Sequence, residues 1–397
     1  MTDILAQPSR RRAARESHPA LESIRLKAAL LVDGVNFSPG VFGEVGTRFK
    51  EQNHGLFGWD FADHKGLELP DDFVLSDGTV VQLRYRPSST YVMELRGEQR
   101  VITKDGRPLA EVRLIRRPRY YDARTPGGAE MRRIAQIGGE DCFFVCYQNY
   151  CSHFGQGEQC LFCNLVATKK TYDSVLTRKD VHDIGLVAQA AFSEGAVRHI
   201  LLTGGCFRHE KEVTLVASIV ESIRSALGVS RVPGTILPSA TLGEDDIRRY
   251  RDTGIGAIGY SMEIWDEALY RGICPGKARA VPHDEFLGGI RKAVRIFGPG
   301  NVYGVFVMGL EPRQSLLEGV RVLSAIGANV VPFVWSPNPG SKFEGHRAPT
   351  AEWYFDTIFA AADIVESAGV PSGTANHCYR CDGNSLLHDA LRTRGVE

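Results

Sequence analysis

The chain of 397 residues lacks any apolar run of 18 or more residues; its best early run, Ala28 to Val35, is short and broken by Asp33. That pattern predicts no transmembrane helix. A surplus of charge is also missing, since Lys+Arg and Asp+Glu both total 47. A neutral total argues against broad attraction to nucleic acid or to a membrane surface, leaving only local patches. Arg10, Arg11, Arg12 and Arg15 are not followed directly by an apolar stretch fit for a secretory leader. Residues 1–20 therefore read as a mobile tail, with an amphipathic organelle-import peptide as the alternative. Nor is there an even cysteine framework: the chain has nine cysteines, five of them between 142 and 163. Metal-binding thiolates in a reducing cytoplasm suit that distribution better than disulfides. No repeat of solenoid period is visible.

What is present falls into zones. Residues 21–138 read as a β-rich domain, with alternating runs such as Thr79–Arg86 and Tyr91–Leu95 separated by Asp-Gly turns at Asp77-Gly78 and Asp105-Gly106. No catalytic motif stands out there. From 139 to 370 strand-like runs alternate with longer helical patterns. The strands are expected at Asp141–Gln148, Arg198–Leu202, Val232–Leu237, Ile255–Met262, Asn301–Met308 and Asn329–Trp335. Helical patterns follow them, the first over Lys179–Glu194 and the last over Thr350–Ala368. Parallel strands need crossover connections, so this alternation predicts an α/β fold, a partial (β/α)6 barrel. Its chemistry is expected at the C-terminal ends of the strands. Residues 371–397 form a short C-terminal extension containing Cys378-x2-Cys381.

The most informative segment is Cys151-x8-Cys160-x2-Cys163, directly after the first strand of the six-unit region. Gly155 and Gly157 let its backbone wrap closely around a bulky group. Soft thiolates suit iron–sulfur clusters and zinc alike. A structural zinc site is closed by four protein ligands; three thiolates on a four-iron cluster leave one iron open. A zinc knuckle would need Cys146 or His153 as its fourth ligand. Unligated buried thiols are the plainer reading, and Cys142 and Cys146 are read mainly as core residues.

Cys160-Leu-Phe-Cys163, with an aromatic before the last cysteine, resembles the cluster loop of the radical S-adenosylmethionine (SAM) superfamily. The first gap departs from the family, being eight residues where three is usual. The resemblance implies a 4Fe–4S cluster on Cys151, Cys160 and Cys163, with SAM as the second cofactor. It implies reductive cleavage of SAM to a 5′-deoxyadenosyl radical, which takes hydrogen from a small-molecule substrate. The reaction class is oxidoreductase or transferase, in cofactor or natural-product biosynthesis. A reductase such as flavodoxin or ferredoxin is the expected partner, with neither nucleic acid nor membrane. The alternative is a zinc or iron–sulfur scaffold without turnover.

The resemblance also marks the other strand ends. Thr203-Gly204-Gly205 corresponds to the glycine pair that receives the SAM amino group, although Cys206 stands where the family has an acidic residue. Phe162, Ser239 and Glu263 are candidates for contacts to SAM, with a helix cap the plain reading of Ser239. Arg271–Arg279 reads as a cationic, glycine-broken loop, and Arg279, with Lys277 second, is the candidate for the SAM carboxylate. Gly309 is a candidate for packing on adenine; Trp335 and Asn338 for touching adenine or substrate. Cys274, Cys378 and Cys381 are candidate hydrogen donors, and the last two a candidate second metal or cluster site. The Glu263 position and basic loop resemble the branch containing biotin synthase and the hydrogenase-cofactor maturases. Residues 20 to 138 lack the α/β pattern of a cobalamin-binding domain.

Overall fold

The computed structural model describes residues 20–38, 40–43, 69–171, 176, 178–207, 209–371 and 382–395. The N-terminal tail and the Cys378-x2-Cys381 pair lie outside these residues.

Two sheets organise the chain. The first takes its strands from the N-terminal part: β1 Asn36–Phe37, β2 Asp72–Leu75, β3 Val80–Gln82, β4 Tyr91–Arg96, β5 Gln99–Lys104 and β6 Arg107–Leu114. Their order is β1-β4-β5-β6-β2-β3, antiparallel except for the β1–β4 pair. The Asp-Gly turns join β2 to β3 and β5 to β6; Asp105 and Gly106 both adopt positive φ, 52° and 76°, as a tight hairpin turn of that kind requires. A helix, Ala20–Asp33, precedes this sheet in a region read as β-rich. Its buried residues Ala20, Ile24, Lys27, Ala28 and Leu31 follow a helical period, which the short apolar run disguised.

The second sheet comprises β7 Gln136–Gly138, β8 Cys142–Gln148, β9 His199–Gly204, β10 Val232–Leu237, β11 Ile255–Glu263, β12 Val302–Met308 and β13 Asn329–Val334. Strands β8 to β13 are parallel and adjacent in chain order, each followed by helix, and β7 adds antiparallel to β8. The result is a partial (β/α)6 barrel. Its strands are apolar on both faces, as expected where helices cover the outside and packed side chains line the inside. β12 is buried at every position.

Six strands do not close a barrel, and the first sheet fills the gap. Asn384 O accepts from Val334 N at 3.1 Å, and Gly383 O accepts from Gln82 N at 3.1 Å. On the other side Asp72 Oδ2 accepts from Gly139 N at 2.8 Å. Residues 383–385, β3 and β2 thus bridge the two free edges of the curled sheet. Buried cations secure this wall. Arg84 donates to Val334 O at 2.9 Å, to Asn384 Oδ1 at 2.5 Å and to Leu31 O. Lys27 pairs with Asp389 at 2.8 Å. No helix among the described residues is long and apolar enough to cross a membrane.

Candidate active site

One cavity of about 930 Å³ opens among the C-terminal strand ends and runs into the barrel. Cys151, Cys160 and Cys163 line it, and so does Phe162. Its walls also include Gly204, Gly205, Ser239 and Glu263. The inner wall is mainly apolar, built from inward side chains such as Phe144, Leu201, Leu237, Val305 and Phe333. Cys142 and Cys146, expected in the core, face this space as well.

The cysteine loop is held by its own turns, with Glu158 N donating to His153 O at 2.8 Å and Cys163 N to Cys160 O at 3.0 Å, and by its neighbours. Ser152 N donates to Cys206 O at 2.8 Å, Leu161 N to Ile273 O at 2.8 Å, and Phe343 N to Leu161 O at 3.1 Å. Gly205 lets β9 approach it: a Cβ there would stand 2.2 Å from Tyr150 O and 2.9 Å from the Cys151 Cβ. Gly204 is equally constrained, by the Tyr147 ring 2.7 Å from where its Cβ would be. The glycine pair is therefore a packing requirement before it is anything else.

Glu263 ends β11 with φ +69°, a left-handed conformation that a residue with a side chain rarely adopts. A register shift between Ser261 and Glu263 marks the same bulge. Behind it, buried Glu311 accepts from Trp265 N at 3.0 Å and Asp266 N at 2.9 Å, fixing the turn that follows. Glu263 faces Lys277, whose Nζ lies 2.5 Å from the carboxylate and 2.9 Å from Ser261 O. Burial lowers the Lys277 pKa, but Glu263 together with the thiols of Cys160, Cys206 and Cys274 outweighs it and holds the ammonium well above its ordinary value.

The segment read as a cationic loop is two short helices, Glu267–Ile273 and Pro275–Ala280. Asp266 caps the first, accepting from Leu269 N at 2.9 Å, and Pro275 begins the second, where its missing N–H costs nothing. On a helix, residues two apart face opposite ways. Lys277 accordingly lines the cavity, whereas Arg279 points outward and pairs with Glu158. Gly309 also lies off the cavity wall; its φ of +110° turns the chain against Tyr354. Cys274 is fully buried and in thiol contact with Cys160, shielded from the cavity. Trp335 and Asn338 are both buried in the cavity wall.

No known-family sequence model matches the chain. A curated relative, bacteriochlorophyllide c C-7(1)-hydroxylase of Chlorobaculum limnaeum, is 22% identical over 302 residues, covering 71% of this chain and 74% of the relative. Among solved structures, methylornithine synthase (PylB) is similar with a TM-score of 0.45 and 17% identity, over 63% of this chain and 69% of that one. Coproporphyrinogen III oxidase (HemN) from Escherichia coli, described as a radical SAM enzyme, gives 0.39 and 10%, over 60% and 55%. The chain's own geometry is more specific: three cysteines follow the first of six parallel strands, and a glycine pair at the end of the next presses one member on Tyr147 and the other on the start of the cysteine loop. That arrangement is the one that the resemblance of the cysteine loop to the radical SAM superfamily implies.

The site can be compared with what a cluster and a single ion each require. Among the described residues no group of three His, Cys, Asp or Glu side chains is gathered as around one metal ion. Cys146 instead directs its thiol at Asn149 Oδ1, 3.0 Å away. Cys151, Cys160 and Cys163 line one cavity from a single loop, and thiolates are the donors that iron–sulfur clusters take. Burial pushes the Cys163 thiol up to about 12, and Cys151 is raised by its hydrogen bond with Cys206 and then by burial. Metal binding would therefore have to displace protons.

Three residues escaped sequence reasoning. Cys206, read as standing where the family has an acid and as a candidate partner of Cys378 and Cys381 in a second metal site, stands in the cavity wall beside Cys151. Glu311 left no signal, since a lone Glu after a strand is ordinary. Glu212 did leave one: it interrupts the buried stripe Val213, Val216, Ala217 and Val220 of helix His209–Leu227.

Proposed function

We propose that this chain is a radical SAM enzyme that holds a 4Fe–4S cluster on Cys151, Cys160 and Cys163, binds SAM across the ends of β8 to β11, and removes hydrogen from an unactivated carbon of a small, largely apolar molecule. The observation that carries this reading is the single cavity shared by the three cysteines, the glycine pair, Ser239 and the Glu263–Lys277 pair. When bound, cluster and SAM together supply one-electron, hydrogen-abstracting chemistry. The chain's residues supply position and shielding. Backbone carbonyls at Gly204 and Gly205 can accept from the SAM ammonium without a Cβ in the way. Lys277 offers a cation to the SAM carboxylate, and Glu263 an acceptor to its ribose hydroxyls. The apolar inner wall excludes water from the reacting carbon. The sequence relative is named for hydroxylating a tetrapyrrole substituent, and oxidation of a C–H bond is the part of that activity we extend to this chain. A flavodoxin- or ferredoxin-type donor would supply electrons.

The test is anaerobic. Protein reconstituted with iron and sulfide, given dithionite and SAM, is assayed for 5′-deoxyadenosine by mass spectrometry beside Cys163→Ala. Nucleoside from the wild type alone supports the reading. If zinc binds and iron does not, the reading is wrong and the chain is a scaffold.

A further inference from the structure

The wall behind the glycine pair is tied together by a carboxylate that no motif accounts for. Glu212 is fully buried in the first turn of helix His209–Leu227. Its Oε1 accepts from Tyr147 Oη at 2.8 Å, Ser239 N at 3.0 Å and Ser239 Oγ at 3.1 Å. Its Oε2 has no partner. Tyr147 belongs to β8, and Ser239 follows β10. Between them Gly204 of β9 is pressed against the Tyr147 ring. One oxygen thereby fixes the ends of three neighbouring strands.

Burying a carboxylate with one oxygen unsatisfied is costly, and apolar residues could pack three strands together without that cost. What apolar packing could not do is orient a hydroxyl. The groups that Glu212 fixes, Ser239 and through Tyr147 the Gly204 backbone, line the cavity, while Glu212 itself does not. No side chain at position 206 can take that part as an acid, because the residue there is a thiol.

We infer that Glu212 is a positioning residue for the cosubstrate: acting through Ser239 and Tyr147, it sets the β9 and β10 ends against bound SAM. This rests on the reading of the cavity as a SAM site. The test uses full-length reconstituted protein and two measurements. SAM affinity is determined by calorimetry for wild type, Glu212→Leu, Glu212→Gln, Ser239→Ala and the Glu212→Leu/Ser239→Ala double variant. Amide hydrogen exchange is followed on the same proteins without SAM. Glu212→Leu is expected to weaken SAM binding about tenfold or more. Glu212→Gln, whose amide oxygen can accept the same three bonds, stays within about threefold. The double variant binds no more weakly than Glu212→Leu, because the two act as one unit. Exchange at the Ser239 amide rises in Glu212→Leu and not in Glu212→Gln.

Additive losses, or a Glu212→Gln as weak as Glu212→Leu, overturn the inference. A wild type that binds no SAM refutes the SAM-site reading; the exchange arm then decides separately, and an unchanged Ser239 amide in Glu212→Leu overturns the clamp itself. Should Glu212→Leu fail to fold, Tyr147→Phe replaces it in the cycle with Ser239→Ala.

Discussion

Gly205→Ala is expected to disable cluster assembly without touching a ligand. The added Cβ would lie 2.2 Å from Tyr150 O, 2.8 Å from Tyr150 C and 2.9 Å from the Cys151 Cβ. Two of these are backbone atoms, so no side chain can swing aside. The carbonyl must retreat by about 1 Å, and Cys151, its neighbour in the chain, moves with it. Overpacking of this kind costs about 1–3 kcal/mol, and a site loosened by about 1 Å no longer holds its ligands in productive geometry. The assay is iron and sulfide content after anaerobic reconstitution, with the electron paramagnetic resonance of the reduced protein. Gly155→Ala is the control, since a Cβ there meets nothing within 4 Å although it lies in the same loop. Cluster content below about half of wild type is expected for Gly205→Ala, with Gly155→Ala unchanged. Equal reconstitution of the two variants would falsify the claim that the glycine pair is shaped by the cysteine loop.

Further expectations concern single side chains. Cys163→Ala should abolish the iron chromophore, whereas Cys274→Ala should keep it and lose about 1 kcal/mol in chemical denaturation. Lys277→Met strands the buried Glu263 carboxylate and should cost about 3–5 kcal/mol; adding Glu263→Gln should recover part of it, and no recovery would refute the pairing. Burial holds the Glu212 carboxyl above its ordinary value of 4.5. Its neutral form then favours the fold: the contribution is complete below about pH 4.5 and is lost as pH rises through the folded value. Denaturation midpoints measured upward from there should fall more steeply in wild type than in Glu212→Gln.

The barrel was legible because its signals are periodic and redundant. Strand Val232–Leu237 has the bounds expected, and helix Thr350–Ala368 begins one residue late, at Ala351. The cysteine loop was legible because thiolate spacing is unusual chemistry. Errors arose where tertiary contact overrides a local rule. Gly272, Pro275 and Gly276 read as breakers, yet they lie in or begin helices, and Gly276 is required because a Cβ would stand 2.5 Å from His153 Nδ1. Arg279 ranks ahead of Lys277 in the sequence, but the helix gives them opposite faces and only Lys277 lines the cavity. Glu212 was hidden because its partners lie 65 and 27 residues away in the chain.

The bridge of residues 383–385 across the barrel edges also has a consequence in time. Lys27 and Asp389 are 362 residues apart and meet in one buried pair, and Arg84 reaches Asn384 across 300. Until residues 382–395 emerge during synthesis, β13 keeps a free edge, which is a template for pairing with another chain. Contacts of such sequence separation form late and slowly. A nascent chain must therefore carry an unclosed cavity until that segment has emerged, and a chaperone that shields the edge meanwhile would raise the yield of protein able to accept iron.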